Sequence, residues 1–239
     1  ILVKISVINR GPESADLHLL PTLWFRNDWS KWIADSNRAK KKPNIKQIKT
    51  QGNISAAEAS HSLLGDFIFS CEGDVTMLFT ENETNHEKLF PGTKNESPHV
   101  KDGINDYVVH GKTEAVSPNK QGTKASAHYH FKIDAGQTSV TRLRLTKKNG
   151  KIIENPLGKE FDRIFDDRLK EADDFYKSIT PSSISKDEAN VMRQAIAGML
   201  WSKQFFFFDG DNWLDEHNSN PLHSGYKQSR NSEWYHMLN

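Results

Sequence analysis

The sequence predicts a β-then-α protein, a sandwich of short strands followed by helices. Three observations lead there. Short runs with a two-residue hydrophobic period, separated by turn residues, fill the chain as far as Asn149-Gly150. From Lys159 the period lengthens to that of a helix. Ser185 and Glu188 then form an S-x-x-E capping box, which opens a second helix.

Taken in order, Leu2–Ile8 alternates Val3, Ile5 and Val7 with Lys4 and Ser6, the pattern of a half-buried strand. Gly11-Pro12 marks a turn into a second run, Ala15–Phe25. Pro21 has no N–H to give a ladder, so that run lies at an edge or breaks there. Arg38–Lys49, with six basic residues and Pro43, reads as a solvated loop or edge. Leu63–Phe69 and Asp74–Thr80 are further strands around Glu72-Gly73. Asn82–Asp106, polar and interrupted by Pro91, Gly92 and Pro98, reads as a long loop. Ser126–Ile133 sets Ala127, Tyr129, Phe131 and Ile133 against His128, His130 and Lys132. Gln137–Thr146 sets Thr141, Leu143 and Leu145 against Arg142 and Arg144.

Lys159–Ile179 carries Phe161, Ile164, Phe165, Leu169, Ala172, Phe175, Tyr176 and Ile179 on one stripe, and Pro181 closes it. Val191, Met192, Ala195, Ile196, Met199 and Leu200 form the buried face of the second helix, which runs to the neighbourhood of Gln204. The organisation is a partial β-sandwich over 1–150, a linker helix within 151–184 and a further helical part over 185–239.

Composition excludes several classes of function. Of 239 residues, 32 are Lys or Arg and 31 Asp or Glu, so a net charge of +1 offers no field for nucleic acid or anionic membrane. No apolar stretch reaches membrane-span length. A single cysteine, Cys71, makes no internal disulfide, and its strand-like setting suggests an inert buried thiol. The lone cysteine and the lack of a visible signal segment point to the cytoplasm. The first residues already lie in a strand pattern, and the last eight are aromatic-rich and uncapped. The chain therefore reads as an internal piece of something larger.

Two constellations could carry chemistry. His128-x-His130 puts two imidazoles on one strand face, a spacing that suits a metal, but the sequence nominates no third ligand, so no metal and no cofactor are assigned. Trp24, Phe25, Trp29 and Trp32 could stack on sugar rings beside Arg26, Asn27 and Asp28; the competing reading is core or interdomain packing. No G-x-S-x-G or phosphate-binding loop is present. Asn53, Asn82 and Asn95 begin glycosylation-type triplets.

V-I-N-R-G-P-E (Val7–Glu13) followed by A-D-L-H-L-L-P-T-L-W-F-R-N-D-W (Ala15–Trp29) resembles the N-terminal β-domain of bacterial proteins related to glycoside hydrolase family 63. M-L-W-S-K-Q-F-F-F-F (Met199–Phe208), with Asp209 and Trp213-Leu214, resembles the first barrel helix of those proteins and the stretch after it. Arg230-Asn231 and Trp234 match an R-N-x-x-W run that follows. The resemblance implies a super-β-sandwich, a linker helix and the start of an α/α toroid. It further implies a parent that hydrolyses α-glucosidic or α-mannosidic bonds by inversion, with an oligosaccharide or glycoside as its partner. The family's general acid lies in a Trp-Asp motif. Trp213-Leu214-Asp215-Glu216 does not supply it, so no catalytic residue is carried over and both catalytic carboxylates are expected outside this chain.

Arg230, Asn231 and Trp234 are candidates for the rim of the parent's substrate cleft, with core packing as the alternative. The sequence departs from the family where Asp28-Trp29-Ser30-Lys31-Trp32 stands for a T-W-S-W run, and where Asn218–Ser229 holds only Pro221 in place of a Pro-rich stretch. In such proteins the W-F-R-N segment suits the interface between sandwich and toroid, with Arg26 and Asn27 satisfying buried polar groups. The alternatives to a hydrolase fragment are a non-catalytic carbohydrate-binding module built on Trp24–Trp32 and an interaction sandwich. The oligomeric state stays open.

Overall fold

A computed structural model describes residues 1–29, 41–50, 52–148, 155–202, 207–228 and 236–238. It divides into two compact units, Ile1–Asp167 and Arg168–Asn239.

The first unit is an antiparallel, sandwich-like pair of sheets. Its strands are β1 (Leu2–Ile8), β2 (Ala15–Leu19), β3 (Thr22–Trp24), β4 (Asn44–Ile48), β5 (Ile54–His61), β6 (Gly65–Glu72), β7 (Thr76–Thr80), β8 (Gln121–Gly122), β9 (Lys124–Ile133) and β10 (Thr138–Lys147). One six-stranded sheet runs β1-β10-β6-β5-β4-β8. In the other, β9 is central: β2 and then β3 pair along one edge of it and β7 along the other.

The expected break at Pro21 is present. β2 pairs from Ala15–Ile133 to Leu19–Tyr129, and β3 resumes at Thr22–Ser126. Between them the Pro21 carbonyl still accepts from the Ala127 N–H at 3.0 Å, so the ladder loses only what the imino nitrogen cannot give.

Inward residues of both sheets close one core. Ile45, Ala57, Phe69, Cys71 and Leu143 from the larger sheet meet Met77, Phe79, Ala125, Ala127 and Tyr129 from the smaller. Phe79 and Ile45 are wholly buried, and each such side chain stabilises the fold by about 1.5–3 kcal/mol through lost apolar exposure. The chain changes sheet at Thr123, between β8 and β9. A Cβ at Gly122 would lie 2.3 Å from the Thr80 carbonyl oxygen, so that corner requires glycine.

Several strand readings shift. The strand expected from Leu63 begins at Gly65, because Leu63 and Leu64 form an exposed turn whose N–H groups donate to His61 Nδ1. Within the basic stretch, β4 is an interior strand between β5 and β8, with Ile45 buried. The alternation is masked because the inward Gln47 is polar and the outward Ile48 apolar. β5 carries a weak hydrophobic signal because its inward residues are small, Ala57 and Ala59 beside Ser55. Asn82–Asp106 is not an unbroken loop. It contains α1 (His86–Leu89), capped by Asn85, and the start of α2 (Gly103–His110), closed by left-handed Gly111.

The helix α3 (Lys159–Ile179) has the bounds its periodicity predicts. Its first turns belong to the first unit. Phe161 is wholly buried, Arg142 on β10 donates to Asp162 at 3.1 Å, and Lys4 lies 5.7 Å from the centre of the Phe165 ring.

The second unit takes the rest of α3, then α4 (Lys186–Ser202), β11 (Phe207–Asp209), α5 (Gly210–Glu216) and β12 (His236–Leu238), which pairs with β11. The capping box closes as expected. Glu188 N–H donates to Ser185 Oγ at 3.2 Å, and Ser185 N–H to the Glu188 carboxylate at 2.7 Å. Arg193 ties α4 to α3 through Asp173 at 2.6 Å and the Tyr176 ring at 4.6 Å. The expected buried face of α4 is not buried. Val191, Met199 and Leu200 are 61%, 75% and 63% exposed, because no described residue covers them.

Candidate functional site

The aromatic segment and the end of β7 build the most organised polar site among the described residues. After β3, Phe25 N–H donates to the Thr123 carbonyl at 3.0 Å, and the Phe25 carbonyl accepts from Asn82 Nδ2 at 2.9 Å. These bonds carry the chain past the end of β7. Beyond β7 the backbone stays extended, with Glu81 N–H bonded to the His99 carbonyl and Lys101 N–H to the Glu83 carbonyl. Glu81 and Glu83, two residues apart on this strap, therefore lie on the same side.

Glu83 is buried, with 6% of its surface exposed. Its carboxylate accepts from the Trp29 indole N–H and from Lys42 Nζ, each at 2.8 Å. Lys42 also reaches Glu81 at 3.2 Å and lies 6.0 Å from the centre of the Trp29 ring. Glu81 accepts in addition from the Thr123 hydroxyl at 2.8 Å. Burial works to lower the Lys42 pKa, but the Glu83 hydrogen bond and the charges of Glu81 and Glu83 outweigh it and raise it above the ordinary lysine value.

This arrangement divides the aromatic cluster by role. Trp29 is a pinned anchor, since its one polar atom is bonded to a buried carboxylate. Phe25 packs against the core. Trp24 points outward with 55% of its surface exposed, opposite Lys124 in the β3–β9 register. Arg26 is exposed, whereas Asn27 is half-buried and its side-chain oxygen accepts from Trp29 N–H at 3.4 Å. Trp32 lies outside the described residues, as do Arg230, Asn231 and Trp234.

No sequence motif singles out Glu81, Glu83 and Lys42. The partner strap and the burial of Glu83 exist only in the folded chain. Asn82 spends its amide on the Phe25 carbonyl and Asn95 donates to Asn85, so two of the three glycosylation-type triplets place their acceptor nitrogens inside hydrogen-bond networks.

A separate cleft of about 460 Å³ is lined by Asn53, Glu72, Arg142 and Asn155. Its arginine is already held by Glu72 and Asp162, so its charge is neutralised within the protein. Asp215, in α5, accepts from Asn220 at 2.6 Å. The described residues contain no helix long and apolar enough to cross a membrane.

No family model matches the sequence. The chain is similar to the uncharacterized protein YMR196W of Saccharomyces cerevisiae, at 36% identity over 265 residues. That alignment takes in 98% of this chain and 24% of the yeast protein, so the chain spans about a quarter of the length of the curated relative it matches.

Proposed function

We propose that this chain is the β-sandwich and first-helix portion of a larger glycoside hydrolase, related to family 63, that cleaves α-glucosidic or α-mannosidic bonds with inversion. The catalytic carboxylates lie outside this chain in this reading, and the segment itself is inactive. The observation that carries the proposal is the uncovered apolar stripe of α4, following directly on a sandwich and a long helix. Such a stripe suits a helix of a toroid whose neighbours come from elsewhere in a parent protein. The resemblance of Ala15–Trp29 and Met199–Phe208 supplies the reaction class. The cluster of Trp29, Lys42, Glu81 and Glu83 then serves to fix the W-F-R-N segment, since Glu83 acts as an acceptor in both its contacts.

The test compares the protein encoded by the complete reading frame with the 239-residue chain. Each is incubated with α-linked gluco-oligosaccharides and mannosyl glycosides, and the anomer first released is followed by NMR. The longer protein is expected to release the β-anomer and the chain alone to release nothing. A longer protein that hydrolyses neither class sinks the proposal.

A second reading, a non-catalytic carbohydrate-binding module, draws on the outward Trp24 ring. Saturable binding of maltose- or mannose-type oligosaccharides by the chain, abolished in Trp24→Ala with the strands intact, would favour it.

A further inference from the structure

His128 and His130 gain a third neighbour once the chain folds. β2 lies beside β9 with His18 directly opposite His130, and His128 sits two residues along on the same outward face. His18 Nδ1 is 2.7 Å from His128 Nε2. The His18 ring stacks on that of His130, with centroids 4.4 Å apart, and its centroid lies 5.0 Å from that of His128. Asp16 Oδ1 lies 3.3 Å from His130 Nε2, and Tyr107 of α2 meets the His128 ring edge-on at 5.9 Å. His18 and His130 are exposed and His128 is half-buried.

We propose that His18 and His128 form a cross-strand chelating pair for a borderline divalent transition-metal ion, of which Zn2+ is the probe. Two imidazole nitrogens aimed at one another require a proton or a cation between them. Zn–N bonds of about 2.0–2.1 Å in tetrahedral geometry set two ligand nitrogens about 3.3 Å apart. The pair at 2.7 Å needs to open by only roughly 0.6 Å, which small side-chain torsions supply on an exposed sheet face.

Among the described residues, no group of three His, Cys, Asp or Glu side chains already presents its donors to one point. The protein therefore offers two ligands, and water, or His130 after its exposed ring turns, completes the shell. Imidazole donors select Zn2+, Cu2+ or Ni2+ over Mg2+ and Ca2+, which take oxygen ligands. This site is independent of the hydrolase reading.

Calorimetric titration of Zn2+ into the 239-residue chain, beside His18→Gln, His128→Gln and a control, His223→Ala in the second unit, whose ring lies 3.5 Å from Asp215, tests it. Glutamine keeps a hydrogen-bonding group at each position and removes the imidazole. The expected result is one saturable Zn2+ site, weakened at least about tenfold in either glutamine variant, unchanged in His223→Ala, and absent for Mg2+. Circular dichroism checks that the variants keep their strands. Should one fail to fold, histidine-ring 15N shifts of the unmodified chain decide, and they must centre on His18 and His128. No saturable uptake, uptake that survives both glutamine variants, dependence on His223, or ring shifts centred elsewhere overturns the proposal.

Discussion

Removing the Glu83 carboxylate probes the junction between the aromatic segment and the sandwich. In Glu83→Ala the Trp29 indole N–H loses its acceptor, while Lys42 keeps Glu81 at 3.2 Å. A hydrogen bond to a charged group contributes about 1.5–3 kcal/mol. The Lys42 side chain is 42% exposed, so water screens its pair with Glu83 and that half contributes at most about 1 kcal/mol. The expected loss is about 2–3 kcal/mol, measured by urea unfolding followed on the β-sheet circular-dichroism signal. Glu83→Gln retains an oxygen for the indole and should lose only about 1 kcal/mol.

A double-mutant cycle with Trp29→Phe isolates the indole bond, with an expected coupling of about 1–2 kcal/mol. Coupling under about 0.3 kcal/mol, or a glutamine variant as unstable as the alanine one, would refute the reasoning.

Three further outcomes follow from particular contacts. Cys71 is fully buried and burial pushes its thiol up to about 12, so iodoacetamide should leave the native chain unmodified and label it only in denaturant; rapid native labelling contradicts this. Ser185→Ala removes the acceptor for Glu188 N–H and should destabilise the start of α4 by about 1 kcal/mol, seen as faster amide exchange in its first turn; unchanged exchange counts against the cap. The Arg142 hydrogen bonds, against a smaller opposing effect of burial, hold the Glu72 pKa below its usual 4.5. A carboxyl lowered on folding contributes stability that is present above its unfolded value and lost as pH falls through its folded one. Melting temperature should therefore decline below the unfolded value more steeply in the unmodified chain than in Glu72→Gln, and parallel curves would remove Glu72 from the account.

The order of β and α parts was legible in the sequence because it rests on local periodicity. α3 has its predicted bounds, since its stripe, its acidic face and Pro181 all act within a few turns of each other. The capping box at Ser185 is equally local, and Pro21 announces its own gap in the ladder. The inward face of β9 was readable because its apolar residues alternate without a break.

What tertiary structure alone decided is every feature that needs two distant segments. β4 is an interior strand because β5 and β8 flank it, although its own residues look like a basic loop. Trp29 became an anchor because Glu83, fifty-four positions away, is buried beneath it. His18 joined His128 across 110 positions because β2 takes the edge of β9 in one register, and a slip of one residue would turn it to the other face. Sequence periodicity reports which face of an element is apolar. It carries no information on what that face meets, which is why the periodicity of α4 predicts a buried face while Val191, Met199 and Leu200 stand exposed among the described residues.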